Sequence, residues 1–104
     1  DARKFAGAPP YGRFAAIIVS SEDQSLGQGV AKRLGDKAPS ADGLAVYGPA
    51  PAPLAMLRGR HRFRLLLHAP RSFDLQGAIR DWLGRVDIPN KVRVAVDIDP
   101  YSFV

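Results

Sequence analysis

The chain has 104 residues, with fifteen Lys and Arg against ten Asp and Glu for a formal net charge of +5, and no cysteine. That length suits one domain able to bury roughly 60–70% of its unfolded surface. The missing cysteines exclude disulfides, thiolate catalysis and cysteine-bound zinc or iron–sulfur clusters from this chain, and the charge favours polyanionic partners.

No apolar run is long enough to cross a membrane, and the opening Asp1-Ala2-Arg3-Lys4-Phe5-Ala6-Gly7 lacks the apolar core of a signal peptide, so no membrane partner and an intracellular setting are expected. Met56 is the sole methionine, which points to a piece of a longer polypeptide. Residues 1–12, ending in Pro9-Pro10-Tyr11-Gly12, have turn chemistry and are expected to be a linker, with residues 13–104 forming the domain.

Arg13 to Ser20 reads as a strand, with Phe14, Ala16 and Ile18 on one side and Arg13, Ala15, Ile17 and Val19 on the other. Ser21-Glu22-Asp23-Gln24 has the form of a capping box and predicts a helix start at Ser21. Leu26, Val30, Ala31 and Leu34 follow at helical spacing. Gly27 and Gly29 weaken that helix by roughly 1 kcal/mol apiece, and Gly35 is its expected stop.

Leu44 to Tyr47 begins a second strand that runs into Gly48-Pro49-Ala50-Pro51-Ala52-Pro53. Alternate prolines delete N–H donors from one side of an extended chain, which only an edge strand tolerates. Arg58-Gly59 is expected to turn the chain into a third strand, making a hairpin. Ser72 is the expected cap of a second helix with an apolar stripe of Leu75, Ala78, Ile79, Trp82 and Leu83, ended by Gly84. Finally, Val92, Val94, Val96 and Ile98 alternate with Arg93, Ala95, Asp97 and Asp99 as a half-buried strand.

The order βαββαβ implies an α+β fold of ferredoxin-like type, an antiparallel sheet with two helices on one face, because right-handed crossovers put both helices on the same side. Its second strand then lies at an edge, as the prolines require. If Phe14, Phe63, Leu65 and Val94 pack under the helices, the open face carries Arg13, Ile17, Val19, Arg62, Arg64, Leu66, Arg93 and Asp97. A face both basic and partly apolar is expected to dock against nucleic acid or a neighbouring protein domain.

The third strand carries the clearest functional signal. In Arg58-Gly59-Arg60-His61-Arg62-Phe63-Arg64-Leu65-Leu66-Leu67 cations alternate with core residues, so Arg60, Arg62 and Arg64 share one face. No Asp or Glu occurs between Asp42 and Asp74 to neutralise them. Such a row suits phosphates; the bland alternative is a solvated face that protects an edge.

Other chemistry is poorly represented. Gly27-Gln28-Gly29-Val30-Ala31-Lys32 fails as a dinucleotide fingerprint because Lys32 occupies the third glycine position. His61 and His68 have no second ligand in metal-binding register, and Asp97 with Asp99 lacks a third carboxylate or a nucleophile. Arg58-Gly59-Arg60 faintly matches an RNA-recognition strand, but His61 and Phe63 stand where its aromatics belong and Phe63 reads as core. Tyr11, Tyr101 and Phe103 are terminal aromatics better suited to contact with an adjoining domain.

Three ordered blocks carry a family resemblance: Pro9-Pro10-Tyr11-Gly12-Arg13, then Gly48-Pro49-Ala50-Pro51-Ala52-Pro53-Leu54 through Arg58-Gly59-Arg60-His61-Arg62-Phe63-Arg64, and Val94-Ala95-Val96-Asp97-Ile98-Asp99-Pro100-Tyr101. Together they resemble the C-terminal domain of the bacterial PriA family, the primosomal protein N′ replication-restart helicases. The resemblance spans nearly the whole chain. It implies a parent that is an ATP-dependent 3′-to-5′ DNA helicase acting at stalled or repaired forks, with ATP motifs and zinc-binding cysteines upstream and no cofactor in this piece.

It also implies a ferredoxin-like fold similar to a ribosomal small-subunit protein, packed beside the helicase core and contributing to the binding of branched DNA. The expected partners are then branched DNA, the helicase core of the same polypeptide, single-stranded-DNA-binding protein and other primosome proteins, in the nucleoid-associated bacterial cytoplasm. On this reading the fragment is not an enzyme: Arg60, Arg62 and Arg64 contact phosphates, with Arg58 and Arg93 assisting. The rival is a protein-interaction domain that docks on the helicase core without touching DNA.

Overall fold

The computed structural model describes residues 12–98. These form β1 (Gly12–Ser21), α1 (Gln24–Asp36), β2 (Ala45–Leu57), β3 (Arg60–Pro70), α2 (Leu75–Gly84) and β4 (Val92–Ile98). All neighbouring strands are antiparallel in the order β2-β3-β1-β4. The architecture is the α+β, ferredoxin-like arrangement that the element order implies. Most of the expected linker, with Tyr11, lies outside the described residues, as do Asp99, Tyr101 and Phe103.

The core fills the space between sheet and helices. Ala15, Ile17 and Val19 of β1 and Leu65, Leu67 and Ala69 of β3 meet Val30, Ala31 and Leu34 of α1 and Leu75, Ile79 and Trp82 of α2. This reverses the face expected for β1. Ile17 pairs with Leu65 and Val19 with Phe63, so the odd-numbered residues of β1 share the helix-covered face with Phe63, Leu65 and Val94, while Phe14 and Ile18 lie on the open one. Both faces of β1 are apolar, so alternation carries no phase information for a central strand; the register with β3 decides it. Arg13 likewise shares the side of Ala15 and is not part of the open face.

Both helix starts differ from their expected positions by two residues. Ser21 remains paired with His61 and Val92 in the sheet, and its hydroxyl accepts the Asp23 N–H at 3.1 Å. The cap of α1 is Asp23, whose carboxylate accepts the Leu26 N–H at 3.1 Å. In α2 Asp74, not Ser72, is the cap and accepts the Gly77 N–H at 3.0 Å. An aspartate serves as well as a serine there, and Ser21 stays paired in the sheet with its hydroxyl turned to the Asp23 N–H. α1 also runs one residue beyond Gly35.

Gly27, weak as a helix former, is buried where α1 crosses the sheet: a Cβ there would sit 3.2 Å from that of Ser21 and 3.5 Å from the Phe63 ring. The missing side chain lets the helix settle onto β1 and β3, a packing gain that offsets the propensity cost.

β2 is an edge strand, as the prolines demand. Its ladder with β3 is irregular between Tyr47 and Ala50 and again between Pro51 and Met56, the stretch where alternate residues have no N–H to donate. At its far end Leu57 pairs with Arg60 across a two-residue turn in which Arg58 and Gly59 have φ of 53° and 78°. Positive φ at both positions is the turn geometry that matches strand twist in a tight hairpin.

Candidate nucleic-acid interface

The open face of the sheet can be built row by row from the strand register. Arg62 of β3, Ser20 of β1 and Arg93 of β4 lie side by side; the next row is Ala50, Arg64, Ile18 and Ala95; the next is Tyr47, Leu66, Ala16 and Asp97. Beyond them Phe14 faces His68, their ring centroids 4.6 Å apart. Arg60 follows the same alternation at the start of β3, and Arg58 sits in the turn. Arg60, Arg62, Arg64 and Arg93 therefore gather at one end of a face that no helix covers, with Arg58 in the hairpin turn at that end.

Their environments differ. The Arg60 guanidinium donates to the Ser20 carbonyl at 2.9 Å and to its hydroxyl at 3.4 Å. Arg62 donates to the Leu54 carbonyl at 3.1 Å, in the stretch of β2 where the ladder is broken. That bond gives a β2 carbonyl a partner from β3 where the ladder fails, so Arg62 braces the edge strand as well as charging the face. Arg58, Arg64 and Arg93 make no side-chain hydrogen bond among the described residues. None of the five has a carboxylate partner there; an ion pair elsewhere on the described surface, Asp81 with Arg85 at 3.0 Å, lies at the end of α2.

Same-face residues on a strand are about 7 Å apart, so neighbouring guanidinium groups repel by roughly 0.6 kcal/mol even in water. A line of anions relieves that repulsion. From Arg60 to Arg64 the row extends about 13 Å, the rise of about four phosphates along one strand of a duplex.

A cleft of about 620 Å³ adjoins this face, lined by Ser21, Glu22, Asp23, Arg60, Asn90, Lys91 and Arg93. Asn90 and Lys91, in the turn that leads into β4, carry no signal in the sequence by themselves. Phe63 is half-buried on the helix face against Gly27, so it offers no platform for base stacking on the open side. Tyr47 is 46% exposed on the open face, and its place in an apolar run conceals it as a surface aromatic. Among the described residues no three His, Asp or Glu side chains group as a metal site, and no helix is long and apolar enough to cross a membrane.

Comparison with known proteins supplies the context for this face. Residues 4–101 match the family described as primosomal protein N C-terminal domain. The replication restart protein PriA of Rickettsia prowazekii is 34% identical over 103 residues, covering 99% of this chain and 16% of that protein. The replication restart protein PriA of Haemophilus influenzae is 30% identical over 101 residues, covering 94% of this chain and 14% of that protein. The probable replication restart protein PriA of Deinococcus radiodurans is 35% identical over 101 residues, 90% of this chain and 10% of that protein. The chain thus spans about a sixth or less of the length of these relatives. With the family match extending across nearly all of it, the chain belongs to the PriA C-terminal domain family.

Proposed function

We propose that this chain is a non-catalytic DNA-binding domain of an ATP-dependent replication-restart helicase, contacting branched DNA at forks through the open face of its sheet. The observation that carries the reading is the cluster of Arg60, Arg62, Arg64 and Arg93 on one uncovered face, with Arg58 in the adjoining turn, none of them in an ion pair with a carboxylate among the described residues. Arginines on a flat sheet grip phosphates without reaching base edges, so recognition is of DNA shape and charge and not of sequence. ATP hydrolysis and zinc binding belong, on this reading, to other parts of the parent polypeptide, which works in the bacterial cytoplasm with single-stranded-DNA-binding protein and other primosome proteins.

A second reading has its own support. Leu54, Met56 and Leu57 near the hairpin tip are 57%, 52% and 42% exposed, an apolar surface suited to docking on the helicase core. DNA binding by the isolated chain separates the two. Since Arg60 and Arg62 also brace backbone carbonyls, the clean variant is Arg64→Ala with Arg93→Ala, neither of which loses a hydrogen bond among the described residues. Every phosphate that is no longer neutralised should flatten the dependence of log affinity on log salt by about 0.9, so the double variant should flatten it by nearly two and weaken every DNA sequence alike. Unchanged affinity and slope for forked DNA would favour the docking reading.

A further inference from the structure

The cleft at the end of the sheet differs in kind from the arginine row beside it. It is concave, and it is built from three separate parts of the chain: the end of β1 and the turn after it with Ser21, Glu22 and Asp23, the start of β3 with Arg60, and the entry to β4 with Asn90, Lys91 and Arg93. Groups that converge on a hollow from several elements can surround one ligand group, whereas a flat row meets each ligand group from one side. We propose that this cleft seats a single phosphate group of a nucleic-acid strand, held by Arg60, Lys91 and Arg93 with the Asn90 amide as a further donor. The inference deepens the nucleic-acid reading above and rests on it.

Several features fit the cleft to that ligand. Arg60 spends two of its N–H donors on Ser20, which fixes the guanidinium and leaves three donors for a ligand. Asp23 holds the cap of α1 through the Leu26 N–H and keeps its charge, so it offsets one of the three cations. Glu22 is exposed and lines the same cleft, yet neither acid forms an ion pair with Arg60, Lys91 or Arg93 among the described residues. Three cations therefore face two carboxylates without being paired to them. The lining also joins the open face directly, since Arg93 flanks Ser20 in the row that contains Arg62. A strand lying along the arginines runs into the cleft without a break.

The assignment gives Lys91 a role that the strand-face reading lacks and makes Glu22 an antagonist. The experiment titrates the 104-residue chain and the variants Lys91→Ala, Glu22→Gln and Arg64→Ala with a fluorescently labelled forked DNA at several salt concentrations. Lys91 and Glu22 are both exposed, so these variants should melt within a few degrees of the unmodified chain. Lys91→Ala should weaken binding about threefold to tenfold and flatten the salt slope by about one, while Glu22→Gln should tighten binding about twofold to fivefold. Either variant binding as the unmodified chain does overturns the cleft as a phosphate seat. If that happens while Arg64→Ala still weakens binding, the strand-face reading stands alone; if Arg64→Ala is also without effect, both fall.

Discussion

At Trp82 one side chain serves both as core filling and as a helix stop. Its ring is fully buried among the residues of both helices, and its indole N–H donates at 3.0 Å to the carbonyl of Leu34, one of the last carbonyls of α1, which have no partner within their own helix. Trp82→Ala should cost about 3–5 kcal/mol, the range for emptying so large a site. Trp82→Phe keeps most of the volume but strands the Leu34 carbonyl, and should cost about 1–3 kcal/mol. Chemical denaturation of the two variants checks both figures; an unchanged midpoint for Trp82→Ala would contradict the packing described.

At the scale of elements, β1 is the strand whose two faces do different work. Ile17 is fully buried under the helices, and Ile18, one residue on, lies between Arg64 and Ala95 on the open face. Ile17→Asp should leave the chain unfolded, because an unpaired carboxylate in the core costs more than a domain of this size has to spare. Ile18→Asp should fold, with a circular-dichroism spectrum like that of the unmodified chain. It should bind DNA several-fold more weakly, since its charge cancels part of the arginine field. A folded Ile17→Asp together with an unfolded Ile18→Asp would restore the opposite strand phase. The β2–β3 hairpin shows a second division of labour: the proline stretch of β2 leaves its ladder with β3 irregular, and Arg62 ties the two strands there by donating to the Leu54 carbonyl.

For the molecule as a whole, two helices close one side of the sheet and leave the other uncovered, and the proposed role of that face is recognition. The purified chain should therefore show no ATP turnover, with or without DNA; no glycine-rich phosphate loop is present in its sequence. A phosphate-release assay checks this, and turnover above the buffer rate that copurifies with the chain would contradict it.

Local chemistry sufficed for the order of elements, the edge position of β2, the hairpin turn at Arg58-Gly59 and the arginine alternation of β3. Proline, glycine and a period of two act within a few residues, and their consequences are written in the chain itself. The face that β1 buries was illegible, because Phe14, Ala16 and Ile18 are as apolar as Ala15, Ile17 and Val19, and only pairing with β3 discriminates between them. The helix caps moved for a related reason: Ser21 and Asp23 are both good caps, and the sheet claimed Ser21. The bracing of Arg60 and Arg62 and the gathering of Lys91 with Arg60 depend on contacts between residues some thirty to forty positions apart or bridging a broken ladder. Such proximity is a property of the packed sheet, and no local pattern encodes it.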